Sequence, residues 1–250
     1  MSNTNPSNSA LHGGGLFLDG GGVQATFEGN DNIVAYNEAQ AGGGVYMYGD
    51  VDLEGLLILE NYASIHGGGI FVGSGSTYVG GTIANNYLVG NTAAQHGPSV
   101  FTFDTSMRIA NNTIVGTFYG SLAGIDINDA GTGTLQVINN IVVNHTIGIR
   151  AENNSLVTLS HNDVWNNTTN YFNIAPGSSD ISVDPEFVNP GNDNYHLDSD
   201  SPCIDAGAYV EGLYFDYDGD RRTGRLLDIG ADEQQTDPFF IPLAVRTYNP

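Results

Sequence analysis

Apolar residues recur along this chain in short alternating runs, each entered through glycines, and the runs return at nearly constant intervals. The clearest copy is Asn61-Tyr-Ala-Ser-Ile-His-Gly-Gly-Gly-Ile-Phe-Val. Related copies are Asn8-x-Ala10-x-His12-Gly-Gly-Gly-Leu16-Phe17-Leu18, Asn37-x-Ala39-x-x-Gly-Gly-Gly-Val45-Tyr46-Met47 and Asn91-x-Ala93-x-x-His96-Gly97-Pro98-Ser99-Val100-Phe101-Thr102. Their first apolar residues, continued by fainter copies at Ile125 and Ile149, are spaced by 29, 25, 30, 25 and 24 residues. A period in that range predicts stacked coils.

Within each copy the side chains alternate. Leu16 and Leu18, Val45 and Met47, Ile70 and Val72, Ile125 and Ile127 share one parity, while Phe17, Tyr46, Phe71 and Phe101 take the other. Period two predicts a strand. A strand this short buries its aliphatic side only against the strand of the next coil, so repetition builds the core. A second column runs through Asn32–Asn37, Leu56–Asn61, Asn86–Asn91, Asn112–Thr117, Asn140–His145 and Asn162–Asn167. Asparagine recurs at its edges because the short amide tolerates left-handed backbone and can bond its neighbour one coil away. The prediction is all-β: a right-handed parallel β-helix solenoid of about six or seven coils rising about 4.8 Å each, with an irregular C-terminal cap. The solenoid is expected over residues 1–190, truncated at its N-terminus because the pattern is already complete by Asn8, with Asp184–Pro190 as its last strand. Residues 191–250 form the expected cap or anchor-associated region.

Composition narrows the partners. The 250 residues carry 28 acidic groups against 6 basic ones, all arginine, for a net charge of -22. Phosphate backbones and anionic membranes are repelled, which argues against nucleic acid and favours cations and neutral sugars. Forty per cent hydrophobic residues at strand spacing argue for order despite 34 glycines. A single cysteine, Cys203, forms no internal disulfide. No signal peptide and no membrane-spanning run is legible.

The tail carries Asn194-Tyr-His-Leu, Ser201-Pro-Cys-Ile-Asp-Ala-Gly207, Asp216-Tyr-Asp-Gly-Asp-Arg-Arg222 and Asp228-Ile-Gly-Ala-Asp-Glu233. It resembles the C-terminal region of the secreted bacterial β-helix proteins called choice-of-anchor Q domain proteins. The Gly-Gly-Gly coils resemble the repeats of polymorphic outer membrane proteins and, more broadly, the pectate-lyase-like superfamily. These resemblances imply export and display at a cell surface, with Phe239–Arg246 as a short sorting or docking segment.

The outward parity supplies the candidate binding residues. Phe17, Tyr46, Phe71 and Phe101, with Tyr48 and Phe103 beside them, predict an aromatic stripe suited to sugar faces. Asp19, Asp50, Asp104, Asp126 and Asn128 stand near it to bond hydroxyls. The expected partner is a polysaccharide, or a glycan or protein of a cell surface. His12, His66, His96 and His145, with Ala41 and Ser121, predict a further column in which His66 and His96 stack one coil apart. Asp216-x-Asp218-Gly-Asp220 places carboxylates at alternating positions around a glycine, the arrangement by which short loops wrap calcium. The resemblance also admits a polysaccharide hydrolase or lyase. The coils, however, contain only Arg108 and Arg150 as cations, and Asp126 has Asn128 rather than a second carboxylate two residues on. Binding is therefore expected, with catalysis as the alternative. The parity makes a direct prediction: in thermal melts Val45→Asp should destabilise by several kcal/mol, roughly 4 or more, while Tyr46→Ser should leave stability nearly unchanged.

Overall fold

The computed structural model describes residues 10–20, 25–73, 80–117, 123–129, 133–154, 156–222 and 226–235. The copy's first residue Asn8, Ser121, Arg225 and the segment Phe239–Arg246 lie outside the described residues.

The aliphatic column becomes a parallel, seven-stranded front sheet. Its strands are Leu16–Asp19, Val45–Tyr48, Ile70–Gly73, Val100–Phe103, Ala123–Ile127, Ile147–Ala151 and Thr169–Phe172. Register runs without slip from Leu16 through Val45, Ile70, Val100, Ile125 and Ile149 to Tyr171. From Val45 onward these residues, with Met47, Val72 and Ile127, sit in one core cluster, and half-buried Leu16 packs on its end. About five turns are closed, fewer than the six or seven expected.

A four-stranded corner sheet precedes the glycine triplets: Ala10–His12, Glu38–Ala41, Tyr62–His66 and Thr92–Ala93. The triplets turn the chain from this sheet into the front sheet and stack coil on coil. Gly14, Gly43 and Gly68 lie above one another as predicted, since a Cβ on Gly14 would meet the Gly43 carbonyl oxygen at 2.4 Å and one on Gly43 that of Gly68 at 2.6 Å. No side chain fits there.

The second predicted column belongs to a larger sheet. Ala25–Ala35 and Val51–Leu59 are long strands that pair along their length. In later coils the equivalent strand divides at a corner. The first wing contains Thr82–Ala84, Arg108–Ala110, Leu135–Ile138 and Val157–Ser160, and the second wing Tyr87–Val89, Thr113–Val115, Ile141–Val143 and Asp163–Trp165. The first corner residue is left-handed, with φ of 52° at Asn85, 51° at Asn111, 56° at Asn139 and 54° at His161. Asparagine carries that conformation at low cost.

The second corner residue turns inward and builds a ladder. The Nδ2 of Asn86 donates to Oδ1 of Asn112 at 2.9 Å, Asn112 to Asn140 at 2.9 Å, and Asn140 to Asn162 at 3.1 Å. Each amide oxygen also accepts the backbone N–H of the preceding rung, and each Nδ2 also donates to a backbone carbonyl. A shorter ladder, Asn37 to Asn61 to Asn91, fills the other corner at 3.0 Å per step. The long ladder ends on Asp180, whose Oδ1 accepts from the backbone N–H and Nδ2 of Asn162 at 2.9 and 3.1 Å. Ile181 adds the last parallel bridge, to Asp163, and Ile174 packs against the core end.

Two expectations are corrected here. Asp184–Pro190 does not supply another rung, because Phe187–Asn189 pairs antiparallel with Asn194–Leu197 in a separate hairpin. Nor does the tail lie over the final coil alone. It runs back along the second wing, where Tyr195, Leu197, Cys203, Ile229 and Ala231 pack on Tyr87, Val89, Val115, Ile141 and Val143. The wing needs this cover because its outer face is largely apolar, at Tyr87, Val89, Val115, Ile141 and Val143. The irregular cap is therefore lateral.

Asn112 satisfies five polar contacts, so Asn112→Ala leaves buried partners unpaired on both sides and should cost about 3 kcal/mol in chemical denaturation. Gln136→Ala, at an exposed strand position, should stay within about 0.5 kcal/mol.

Candidate functional site

The outward parity of the front sheet forms one file: Phe17, Tyr46, Phe71, Phe101, Asp126, Arg150 and Phe172, each registered on the next. The aromatic rings stack on one another, with centroids 5.3 Å apart for Phe17 and Tyr46, 4.7 Å for Tyr46 and Phe71, and 5.6 Å for Phe71 and Phe101. Stacking spends the ring faces within the file and turns edges outward. Phe17, 54% exposed, keeps the most open ring.

Histidines flank the file. The His12 ring lies 4.6 Å from Tyr46, and His66 lies 4.7 Å from Phe101 and 5.2 Å from His96. Burial, then the neighbouring His96, lowers the pKa of His66, and its Nδ1 has no protein partner. The predicted stacking of His66 and His96 is thus present, but His145 has left the column. It is buried inside, bonded through Nε2 to Ser99 Oγ at 3.1 Å, and burial pushes it down to about 4.

Phe101 departs from expectation. It points outward yet is 3% exposed, because the rings of Phe71, His66 and His96 enclose it. Tyr48 is half-buried and Phe103 exposed, but Gly73 lies between them, so they form no continuous stripe. Asp126 is buried beneath the file's polar end. Arg150 Nη1 donates to its two oxygens at 2.9 and 3.1 Å, and His96 Nδ1 lies 3.2 Å from Oδ2. Burial raises the Asp126 pKa against the opposing pull of Arg150 and His96. Arg150 Nη2 also reaches Glu152 Oε1 at 3.4 Å. The reading of single residues missed this cluster. The signal was available, since Asp126 and Arg150 follow Phe101 at the coil spacing of 25 and 24 residues.

The aspartates expected to hold calcium are placed in the tail's own framework. Asp216 Oδ1 accepts the backbone N–H of Asp218 and Asp220 at 2.9 and 2.7 Å, and Oδ2 that of Glu233 at 2.9 Å. Asp220 is exposed, and Asp218 Oδ2 lies 2.7 Å from His196 Nε2. Arg222 is the buried centre of this framework. Nη1 donates to Glu233 Oε2 at 2.8 Å, Nη2 to the Gly230 carbonyl at 2.8 Å, and Nε and Nη2 to Asn85 Oδ1 at 3.2 and 3.1 Å. One guanidinium thus ties the tail to the solenoid corner. Gly230 lies so close to the wing that a Cβ would meet Ile141 Cδ1 at 2.7 Å. Cys203, buried, donates its thiol to Asp163 Oδ2 at 3.3 Å.

No protein-family profile, curated protein or solved structure matches this chain. Among the described residues, no helix is long and apolar enough to cross a membrane.

Two outcomes follow for the tail. Arg222→Met leaves Glu233 buried without its cation, and undocking should become easier by about 3 kcal/mol or more, read by the emission of Trp165, which packs at the docked cluster. Burial pushes Asp216 and Asp228 each up to about 6. Carboxyls raised in the folded state contribute stability that is full below about pH 4 and is lost as pH rises through about 6. His145, held low, contributes the opposite: full above about pH 6.5 and lost as pH falls toward 4. Burial also pushes Asp163 up to about 6 and Glu233 to about 7, so the carboxyls together outweigh His145: the denaturant midpoint at Trp165 should be higher at pH 5.5 than at pH 8, and a flat profile between them would contradict the assignment.

Proposed function

We propose that the chain is a secreted or surface-displayed bacterial recognition module that binds a neutral glycan, or a surface bearing one, along the outer face of its front sheet. The observation carrying this reading is the file of Phe17, Tyr46 and Phe71, flanked by His12 and His66, on a chain of net charge -22. A neutral sugar is not repelled by that charge. Phe17 offers it a ring face, while Tyr46 and Phe71 offer edges. Phe101 and Asp126 act from beneath, fixing His66, His96 and Arg150. Tyr48 and Phe103 border the face. The tail and coil motifs, through their resemblance to choice-of-anchor Q and pectate-lyase-like proteins, support export and display. Calcium at Asp216, Asp218 and Asp220 draws support from Asp218 and Asp220 alone, since three N–H groups occupy Asp216.

A second reading rests on His96, Asp126 and Arg150. A carboxylate beside an imidazole, next to a guanidinium, is a set that can move a proton near a polysaccharide, as a hydrolase or lyase requires. Affinity electrophoresis against a panel of neutral polysaccharides, with reducing-end and unsaturated-product assays in parallel, separates the two. Phe17→Ala with Tyr46→Ala should weaken retention at least about tenfold while Phe103→Ala changes it little, since one aromatic contact is worth about 1 kcal/mol. Retention unchanged in the double variant sinks the recognition reading. Product formation abolished by His96→Ala establishes the enzyme.

A further inference from the structure

A second cluster lies outside the front sheet, where the tail meets the second wing. His196 stands on the tail hairpin strand Asn194–Leu197, Asp218 on the loop after Asp216, and Asp232 in the closing Asp228–Glu233 segment. One ligand atom from each lies within 4.8 Å of the others. These residues are far apart in sequence and belong to three separate stretches, so the tail's folding alone brings them together.

The surroundings orient them as ligands. His196 Nδ1 is 2.7 Å from Asn194 Oδ1, an acceptor, so Nδ1 carries the proton and Nε2 faces the carboxylates. Fixing the distal nitrogen in this way is how metal-binding imidazoles are oriented. Asp232 is held by the Leu197 N–H at 2.8 Å, next to His196 in the chain. An independent observation comes from the wing. The Tyr87 hydroxyl is buried and has no protein partner, although Tyr87 is only 5% exposed and its ring lies 5.8 Å from that of His196. The carboxylates of Asp232, Asp218 and Asp216 bear on it electrostatically. An unsatisfied buried hydroxyl calls for a partner. His196 and Asp218 are 39% and 41% exposed, which leaves an entry path.

We propose that His196, Asp218 and Asp232 bind a zinc-class divalent metal ion, with the Tyr87 hydroxyl bonding to the ion's remaining shell. One imidazole and two carboxylates suit zinc and its first-row neighbours, whereas calcium takes oxygen ligands in larger number. The ion joins three tail segments beside a wing residue and so fastens the tail to the solenoid, whatever the front sheet binds.

The test uses the whole chain after chelator treatment, with zinc chloride or calcium chloride as the only additions. Zinc at about a hundred times Kd should raise the melting temperature by roughly 5–10 °C and give a one-to-one calorimetric isotherm. Both effects should vanish in His196→Gln and in Asp218→Asn and persist in Asp220→Asn, whose side chain is outside the cluster. Isothermal titration at 25 °C of variants with native circular dichroism keeps the test valid if one substitution lowers stability. An unchanged melting curve with zinc overturns the proposal. So does a zinc shift that survives His196→Gln, and so does a shift given by calcium but not zinc, which moves the ion to the aspartate loop.

Discussion

Every coil of this protein is held to the next through buried corners, and a buried corner exposes amides that water cannot reach. The asparagine ladders resolve that constraint. Each rung donates one hydrogen bond up the axis, accepts from the backbone of its neighbour and returns a second donor to a carbonyl of the preceding coil. The same bonds fix register, because a slip by one residue would both strand the amides and turn the aliphatic parity outward. A carboxylate accepts but cannot donate when ionised, so Asp180 is a chemically sufficient end to the ladder. Neither the ring file nor the docked tail could exist without that register, since both depend on equivalent residues of successive coils lying in line.

The two faces of the solenoid then diverge for reasons visible in their side chains. The front sheet alternates in parity, so its outer face is left partly open at Phe17, Tyr46, Phe71 and Phe172 and closed at Phe101 and Asp126. The second wing carries Tyr-Leu-Val, Thr-Ile-Val, Ile-Val-Val and Asp-Val-Trp, whose outer face is polar only at Thr113 and Asp163. The tail covers this surface, although it is itself rich in aspartate. Its carboxylates are accommodated by backbone N–H groups and by Arg222, the buried cation shared between Glu233 and Asn85.

The front sheet was legible because its information is local and repeated: glycines, parity and period all sit within one coil. The division of the long strand into wings was partly legible in the asparagine pairs, whose first member proves left-handed. The tail's position was not, since its anchoring contacts join residues such as Asn85 and Arg222, separated by 137 positions. A usable signal existed in the wing strands, whose continuous apolar runs are incompatible with a solvent-facing side. Parity placed Phe101 and Asp126 outward correctly. It could not report that the rings of one file, at coil spacing, bury one another, nor that His196 would meet the Asp218 carboxylate.

Stacked coils interact with their nearest neighbours, and stability is then distributed unevenly along the axis. The tail engages Asn85, Asn111, Asn139 and Asp163 and therefore joins the coils from the third onward into one cooperative block. Phe17 belongs to the coil before that block, where Leu16 and Leu18 are only partly buried. The most exposed ring of the file thus stands on the first described rung. A ligand lying along the file from Phe17 to Arg150 would span the unclasped and clasped coils together. Binding of such a ligand would then be linked to stability at that end of the solenoid, because it would join the first coil to the block that the tail holds.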